Sequence, residues 1–135
     1  MFMKKILVIG GAYQGKTKWV EKTFPQYQNI SIETLLEESK LGKITNNIWV
    51  NKFHLGMKQW LVEKREYKKI LQLIKKNPSW LIVSDEIGNG IVPMNEADRK
   101  WREETGRILC DLAKEADEVY RIYSGIAIKI KGSEV

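Results

Sequence analysis

The feature that most constrains the fold of this chain is a glycine-rich octapeptide near its N-terminus. Residues Gly10 to Thr17 read GGAYQGKT, which fits the spacing G-x-x-x-x-G-K-[ST] of a phosphate-binding P-loop. An apolar run, Lys5–Ile9 (KILVI), precedes the motif, and a stretch compatible with a helix, Lys16–Phe24, follows it. The motif therefore lies between a predicted strand and a predicted helix, which is the setting in which it binds phosphate.

The residue types in this motif have a physical purpose. Glycines allow the backbone to curve closely around a phosphate, and the N-terminus of the following helix adds a partial positive charge. We predict that the nucleotide contacts the whole motif: Gly10, Gly11, Ala12, Tyr13, Gln14, Gly15, Lys16 and Thr17. In this interpretation Lys16 is a catalytic residue that reaches the β- and γ-phosphates, and the Thr17 hydroxyl is a ligand of Mg²⁺. The alternative is a glycine turn in an unrelated α/β protein.

Two acidic residues follow a second apolar run. Asp85 and Glu86 come directly after Trp80–Ser84, and a P-loop site normally uses a carboxylate at the end of a neighbouring strand to hold Mg²⁺. We predict that both residues are catalytic and that Asp85 is also a metal ligand. The spacing does not say which of the two points inward, and a strand-end turn with both side chains in water remains the alternative.

Short apolar runs alternate with helical patterns along the chain, which is typical of a mostly parallel α/β sheet. The predicted strands are Lys5–Ile9, Asn29–Ile32, Asn47–Val50, Trp80–Ser84, Glu118–Tyr123 and Ile126–Lys131. The predicted helices are Lys16–Phe24, Glu33–Lys40, Met57–Lys76 and one from an N-cap at Asn95 to about Ala116. The fold class is therefore P-loop NTPase-like α/β, with helices flanking the sheet and a C-terminal antiparallel hairpin. In the last strand, Ile126, Ile128 and Ile130 alternate with other residues, which predicts a half-buried strand.

Length and composition limit the remaining possibilities. With 135 residues, the chain has the usual size of one domain, and we predict that residues 1–135 form a single P-loop nucleotide-binding domain. Its one cysteine, Cys110, excludes an internal disulfide and is expected to be buried in a helix; with one histidine it also excludes a structural zinc site. No apolar run reaches the length of about 18 residues that spans a bilayer. The N-terminal Met1–Gly11 is too short for a signal peptide, so we expect a cytoplasmic protein.

The positive charge is concentrated in one segment. The chain carries a net charge of +6, and Lys52–Lys76 alone contains eight basic and two acidic residues. Such a segment attracts phosphate groups or nucleic acid, but a charge run is more often a solvated helix face. Trp60 and Tyr67 lie seven residues apart beside apolar positions, which indicates a buried stripe rather than a base-stacking surface. We therefore expect no nucleic-acid partner.

The second half of the chain carries a more specific signature. Glu86–Pro93 reads EIGNGIVP, and it is similar to the E-V-G-x-G-I-V-P signature of the bifunctional adenosylcobinamide kinase/adenosylcobinamide-phosphate guanylyltransferases of cobalamin biosynthesis. The start of the chain, Ile6–Ala12 with Gly15-Lys16, resembles the start of that family. Further matches lie at Asn95, Arg99, Arg102, Gly106-Arg107, Leu112-Ala113, Ala116–Tyr120, Gly125-Ile126 and Lys129–Lys131.

The resemblance implies a function and an assembly. It implies ATP- or GTP-dependent, Mg²⁺-dependent phosphorylation of the aminopropanol hydroxyl of adenosylcobinamide, a corrinoid, by a homo-oligomer that is often a trimer. It also implies transfer of GMP from GTP through a guanylylated histidine. That histidine belongs to the segment between the second and third strands, but Ile32–Thr45 contains none. His54 is the only histidine and lies elsewhere, so the expected function is a kinase with a doubtful guanylyltransferase step. The alternative is a nucleotide-binding regulatory or accessory module without catalysis.

The resemblance also exposes a difference between two strands. The third strand of the family usually ends in an acidic residue, whereas Asn47–Asn51 offers amides here. Asp85, in contrast, occupies a position where the family more often has asparagine. We therefore hypothesise that a carboxylate has moved from one strand to the next.

Overall fold

A computed structural model describes residues 4–11, 14–31, 33–34, 47–62, 67–86 and 95–132 of the chain. Six strands lie in this part of the chain: β1 (Lys5–Gly10), β2 (Gln28–Ile30), β3 (Ile48–Val50), β4 (Trp80–Asp85), β5 (Glu118–Tyr123) and β6 (Ile126–Lys131). Its longer helices are α1 (Lys16–Thr23), α2 (Phe53–Val62), α3 (Tyr67–Lys76) and α4 (Glu96–Glu115). No helix among the described residues is both long enough and apolar enough to cross a membrane.

The strands form one sheet with the order β2-β3-β4-β1-β5-β6. All neighbouring strands are parallel except β5 and β6, which form an antiparallel pair. This arrangement confirms the predicted P-loop NTPase-like α/β fold with a C-terminal antiparallel pair. Because β1 and β4 are parallel neighbours, Gly10 pairs with Asp85. The end of the first strand thus lies beside the acidic end of β4.

Alternation along the strands sends side chains to two hydrophobic clusters, one on each face of the sheet. Among the described residues, the cluster on one face joins β4 residues Trp80 and Ile82 to buried side chains of α2, α3 and α4. The cluster on the other face joins Leu81 and Val83 to Val20 of α1. The parallel part of the sheet is therefore covered on both sides, as expected for parallel strands.

Helix α4 forms much as its sequence predicts. The Asn95 side chain caps it by accepting a hydrogen bond from the Asp98 backbone N–H, at 2.7 Å. Ile108 and Leu112 are buried, and the rest of the predicted apolar face (Trp101, Leu109 and Ala113) packs against the same cluster. The prediction that Cys110 is buried is wrong: Cys110 is exposed. It lies two residues from Ile108, and residues two apart on a helix face different directions.

Helix α2 begins earlier than predicted. The pattern predicted a helix from Met57 to Lys76, whereas α2 starts at Phe53, whose side chain is fully buried. The backbone turns sharply just before it, because Lys52 has a φ of 52° and donates its N–H to the Asn51 side chain. Residues 63–66, between α2 and α3, lie outside the described residues, as do most of the predicted helix Glu33–Lys40 and the signature residues Ile87–Pro93.

The predicted half-burial of β6 is wrong. Ile126, Ile128 and Ile130 are 66%, 53% and 57% exposed, and Tyr123 of the neighbouring strand is 65% exposed. Within the part of the chain that the structure describes, β6 is the last strand of the sheet and pairs with β5 alone. Alternation sets which residues share a face, but burial also needs a second layer over that face.

Candidate functional site

Two glycines of the octapeptide are required by the backbone around them. A side chain at Gly10 would place its Cβ 2.6 Å from the carbonyl oxygen of Ile122 in β5, which is closer than such atoms approach. Gly15 caps α1 with a φ of 86°, in the left-handed region that favours glycine. The motif thus brings the backbone tightly against the sheet and then into the helix.

The glycine-rich loop is attached to the turn between β5 and β6. The Gln14 side-chain oxygen accepts a hydrogen bond from the Ser124 N–H at 2.6 Å, and the Gln14 carbonyl accepts one from the Gly125 N–H at 2.9 Å. Both turn residues have positive φ values. Gln14 therefore fixes the loop against the sheet. Ala12 and Tyr13, predicted to contact nucleotide, lie outside the described residues.

Lys16 lies at the first position of α1 and is 8% exposed. Its Nζ donates a hydrogen bond of 2.6 Å to the carbonyl oxygen of Gly11 and lies 2.6 Å from Oδ1 of Asp85. The structure therefore brings together the lysine and one of the two carboxylates predicted from the sequence. The contact arises because β1 and β4 end side by side and α1 starts directly beyond them.

His54, in the first turn of α2, contacts the same carboxylate. Its Nδ1 accepts a hydrogen bond of 3.1 Å from the Asp85 backbone N–H, so a neutral ring carries its proton on Nε2. Nε2 lies 3.3 Å from Oδ2 of Asp85. Burial lowers the pKa of the His54 imidazole, as do the nearby Lys16 and Lys52 ammonium groups, and this outweighs the opposite effect of Asp85. The ring is therefore neutral at pH 7.

Thr17 lies next to Lys16 and faces the end of β3. Its hydroxyl oxygen accepts a hydrogen bond of 3.2 Å from the side-chain amide of Asn51. Asn51 follows β3 directly, so the contact joins a third strand end to the loop. The position that resembles the family's acidic residue is thus occupied by an amide.

Glu86 is placed differently from Asp85. Its carboxylate forms a two-pronged ion pair with the Arg121 guanidinium, with contacts of 2.9 and 3.0 Å. Successive residues at a strand end point to opposite faces of the sheet. Of the two acidic residues, Asp85 is therefore the one that contacts Lys16, which the spacing alone left open.

These residues surround a cavity of about 610 Å³, within the range of about 300–1,000 Å³ for small-molecule sites. Its lining includes Gln14, Gly15, Lys16, Thr17, Lys18, Asn51, Lys52, His54 and Asp85. Among the described residues that line it, three lysines give it a positive wall and Asp85 alone is a carboxylate. A cavity of this size and charge suits a polyanion held with a divalent cation.

The sequence prediction missed two residues of this site, Asn51 and His54. Asn51 carried a detectable signal, since it directly follows a predicted strand whose carboxyl end meets the loop. His54 carried no such signal, because it lies thirty-one residues before Asp85 in the chain. Only the parallel pairing of β3 with β4 brings them together.

The fold and the glycine-rich loop place the chain in the class of P-loop-like α/β proteins. Within that class, the model of the cobinamide kinase / cobinamide phosphate guanyltransferase family matches residues 41–130. The chain therefore belongs to this family. The matched range begins after the glycine-rich loop.

Two curated relatives support this assignment. The chain is 47% identical over 51 residues to the bifunctional adenosylcobalamin biosynthesis protein CobU of Salmonella typhimurium, covering 38% of this chain and 28% of that protein. It is 36% identical over 67 residues to the protein of the same name from Escherichia coli, covering 49% of this chain and 37% of that protein. The similarity thus spans about a third of the length of these relatives.

Proposed function

We propose that the chain transfers the γ-phosphoryl group of ATP or GTP to a hydroxyl of a cobinamide-type corrinoid. The observation that carries this proposal is the contact between Lys16 and Asp85 beside a glycine-rich loop, in a chain of the cobinamide kinase family. We further propose that residues 1–135 act as one nucleotide-binding domain. The acceptor would be the aminopropanol hydroxyl of adenosylcobinamide, as the family resemblance implies.

The residues fit a magnesium–nucleotide complex. Mg²⁺ keeps several water ligands and is usually held by one or two protein oxygens together with substrate phosphates. Thr17 offers a hydroxyl and Asp85 a carboxylate. The carboxylate oxygens lie in contact with Lys16 and His54 and have further lone pairs that can bind a cation. Within the described ranges no group of three or more His, Cys, Asp or Glu residues forms a metal cage. A site completed by phosphate oxygens and water is consistent with that finding.

We assign each residue a task in the transfer. The bond from the γ-phosphorus to the bridging oxygen breaks and ADP or GDP leaves, while a new bond forms from the γ-phosphorus to the oxygen of the corrinoid hydroxyl, whose proton is released to water. Such a transfer depends mainly on alignment and on neutralising charge. Lys16 would bind the phosphate oxygens, and Gly10, Gly11, Gln14 and Gly15 would shape the loop around them. Mg²⁺, held by Thr17 and Asp85, would neutralise charge on the phosphates.

For Glu86 we propose a supporting task. Its carboxylate holds Arg121 in a two-pronged contact, and its backbone N–H donates a 2.8 Å hydrogen bond to the Gly10 carbonyl. These contacts join β4, β1 and β5 at the base of the loop. Glu86 would therefore maintain the loop's position and would not contact the phosphates.

We do not extend the proposal to GMP transfer through His54. A histidine nucleophile needs a ring nitrogen with a free lone pair. The Nδ1 lone pair of His54 accepts a hydrogen bond from the Asp85 backbone N–H, and Nε2, which carries the proton of the neutral ring, lies 3.3 Å from Oδ2 of Asp85. This environment suits a hydrogen-bonding role rather than attack on a nucleotide.

Label transfer from nucleotides tests the proposal. The protein is incubated with γ-labelled ATP or GTP, Mg²⁺, and cobinamide or adenosylcobinamide, and the corrinoid is separated and counted. We expect labelled corrinoid from the native chain and none from Lys16→Ala. Lys22→Ala is the matched control, since Lys22 is exposed on the same helix. Equal labelling by Lys16→Ala and the native chain would contradict the proposal.

A second candidate, a nucleotide-binding module without catalysis, is favoured by one observation. Asn51 places an amide rather than a carboxylate against Thr17, which reduces the negative charge available for Mg²⁺. Calorimetric titration with ATP and GTP separates the two candidates when it is read beside label transfer. Nucleotide binding that Lys16→Ala abolishes, without any turnover, would establish the binding module and exclude the kinase.

We also propose that copies of the chain associate through β6. Among the described residues this strand lies at the edge of the sheet, and its three exposed isoleucines with Tyr123 form an apolar patch. Exposed apolar edge strands commonly pair with another chain. A second copy of this chain is the occupant we propose, in agreement with the homo-oligomer that the family resemblance implies.

A further inference from the structure

Lys52 lines the cavity from a different element than the other two lysines. It lies between β3 and α2, whereas Lys16 and Lys18 belong to α1. Its side chain is exposed, and its ammonium group forms no ion pair with a carboxylate of the described residues, in contrast to Lys16, which contacts Asp85. Lys52 therefore adds a positive charge to the cavity that the described part of the chain does not neutralise.

Hydrogen bonds on both sides hold the backbone of Lys52. The Asn51 side-chain oxygen accepts a 2.9 Å hydrogen bond from the Lys52 N–H, while the nitrogen of the same amide donates one of 3.2 Å to the Thr17 hydroxyl. On the other side, the Lys52 carbonyl oxygen accepts hydrogen bonds from the N–H groups of Leu55 and Gly56, at 3.0 and 3.3 Å. The Cα atom of Lys52 is thus fixed relative to Thr17.

The conformation of this backbone is unusual for a lysine. Its φ of 52° lies in the left-handed region, where a Cβ atom is disfavoured and glycine, asparagine or aspartate is more common. The exposed side chain forms no hydrogen bond or ion pair with the described residues that would offset this strain. Backbone strain of this kind is concentrated at ligand-binding sites. These observations favour a task in the cavity over a task in the fold.

The charges around the cavity indicate which part of a nucleotide Lys52 would meet. Lys16 and Asp85 neutralise each other in direct contact, so Lys18 and Lys52 supply the remaining positive charge among the described lining residues. A terminal phosphate carries more negative charge than a bridging one. Mg²⁺ in such sites bridges the β- and γ-phosphates. Because Asn51 joins Lys52 to Thr17, the proposed ligand of Mg²⁺, Lys52 belongs to the terminal-phosphate end of the cavity.

We propose that the Lys52 ammonium binds the γ-phosphate of the nucleotide and makes the site prefer nucleoside triphosphates to diphosphates. The inference rests on the proposed function, since it places the nucleotide in this cavity. Lys52 would donate hydrogen bonds to γ-phosphate oxygens from the end of β3, while Lys16 binds the phosphates from α1. In the transfer it would neutralise charge on the moving phosphoryl group.

Calorimetric titration without any acceptor tests the contact. The probes are the β,γ-imido analogues of ATP and GTP, with ADP and GDP for comparison, all with Mg²⁺. We expect Lys52→Gln to weaken binding of the triphosphate analogue by about 10–100-fold, as for the loss of one charge-assisted hydrogen bond. Binding of the diphosphate should change by less than about threefold, because salt screens a charge that the diphosphate does not contact.

Two further variants serve as comparisons in the same titrations. Lys52→Arg keeps the positive charge and should retain more affinity for the triphosphate analogue than Lys52→Gln. Lys22→Gln removes an exposed lysine of α1 that does not line the cavity, and it should bind both nucleotides as the native chain does. Native affinity for the triphosphate analogue in Lys52→Gln, or an equal loss for triphosphate and diphosphate, would overturn the inference.

Lys52→Gly separates binding from folding, because it removes the ammonium group and the left-handed strain together. We expect its midpoint of urea unfolding to equal or exceed that of the native chain, since glycine adopts this φ without a steric cost. Its affinity for the triphosphate analogue should fall as in Lys52→Gln. A midpoint well below the native value would show that the lysine serves the fold, which would count against the proposed contact.

Reading these titrations beside corrinoid labelling lets the two proposals fail separately. If the native chain binds nucleotide but labels no corrinoid, the kinase proposal fails, while a triphosphate preference that Lys52→Gln removes still supports the role of Lys52. If the native chain labels the corrinoid and Lys52→Gln keeps the native preference, the inference fails and the kinase proposal stands. A native chain that binds no nucleotide, or binds triphosphate and diphosphate equally, would also overturn the inference.

Discussion

The side-chain amide of Asn51 donates a hydrogen bond of 3.2 Å to the hydroxyl oxygen of Thr17, which joins the end of β3 to the first turn of α1. One strand further along the sheet, Asp85 at the end of β4 supplies the carboxylate that contacts Lys16. The site therefore has an amide at one strand end and an acid at the next. The family resemblance implies the reverse order, with an acid at the end of the third strand and more often an asparagine at the position of Asp85.

This exchange predicts the behaviour of a double variant. Asp85→Asn removes the carboxylate beside Lys16, and we expect Mg²⁺-dependent nucleotide turnover to fall at least about 100-fold. Adding Asn51→Asp places a carboxylate beside Thr17 instead, and we expect the pair to recover about tenfold or more of the loss. Turnover is measured over a range of Mg²⁺ concentrations. Normal turnover in Asp85→Asn alone would contradict the assigned role of Asp85.

Replacing two glycines by alanine should change the free energy of unfolding in opposite directions. Gly10→Ala would place its Cβ against the Ile122 carbonyl, and we expect the free energy of unfolding to fall by about 1–3 kcal/mol or more. Gly106→Ala in α4 is the matched control, since nothing lies within 4 Å of its Cβ; there alanine should stabilise by about 0.5–1 kcal/mol. Urea unfolding followed by circular dichroism checks both values. A neutral Gly10→Ala would show that β1 and β5 can separate without cost.

The lowered pKa of the Glu118 carboxyl should make the stability of the fold depend on pH. Burial alone would raise its pKa, but hydrogen bonds from Lys4 and Tyr120 and the nearby Lys129 ammonium hold the pKa below its usual 4.5. A carboxyl whose pKa is lower in the folded chain stabilises the fold above its unfolded pKa, and this stability is lost as the pH falls through the folded pKa. Glu118→Gln should therefore lower the free energy of unfolding by about 1–3 kcal/mol at pH 7.

The difference in the free energy of unfolding between the native chain and Glu118→Gln should shrink as the pH falls below 4.5. Urea unfolding at a series of pH values measures it. Glu21→Gln, an exposed position on α1, serves as control and should follow the native chain at every pH. A difference that stays constant down to the lowest pH at which the chain folds would contradict the assigned ion pairs.

If copies of the chain associate through the apolar patch on β6, a charged side chain placed in that patch should separate them. Ile128→Lys places a charge in the middle of the patch, where Ile128 is 53% exposed, and burying an unpaired charge in an interface is strongly unfavourable. We expect this variant to be monomeric at concentrations at which the native chain is an oligomer. Light scattering coupled to size-exclusion chromatography measures the mass. Gln72→Lys adds the same charge on the exposed side of α3 and should leave the mass unchanged.

Local pattern in the sequence was sufficient for much of the fold. The apolar runs Lys5–Ile9 and Trp80–Ser84 have the length of buried strands, and each is observed as a strand that extends one residue further, β1 (Lys5–Gly10) and β4 (Trp80–Asp85). The same reasoning failed at β6, because the alternation of Ile126, Ile128 and Ile130 gives a shared face but not a layer that covers it. Burial there depends on contacts beyond the strand itself.

The site was predictable only in part, for a related reason. Lys16 and Thr17 follow from the spacing of one motif, whereas the choice of Asp85 over Glu86 depends on which face of β4 each side chain occupies. His54 contacts Asp85 only because β3 and β4 are parallel neighbours and α2 starts at the end of β3. Contacts of this kind depend on the tertiary arrangement, which a single sequence does not reveal through spacing.

We propose that this chain phosphorylates a cobinamide-type corrinoid at the site formed by Lys16 and Asp85. Mass spectrometry of adenosylcobinamide, after incubation with the native chain, Mg²⁺ and unlabelled ATP or GTP, tests this directly. We expect a corrinoid that has gained one phosphoryl group, together with an equal amount of nucleoside diphosphate. An unmodified corrinoid, from folded protein that binds the nucleotide, would contradict it.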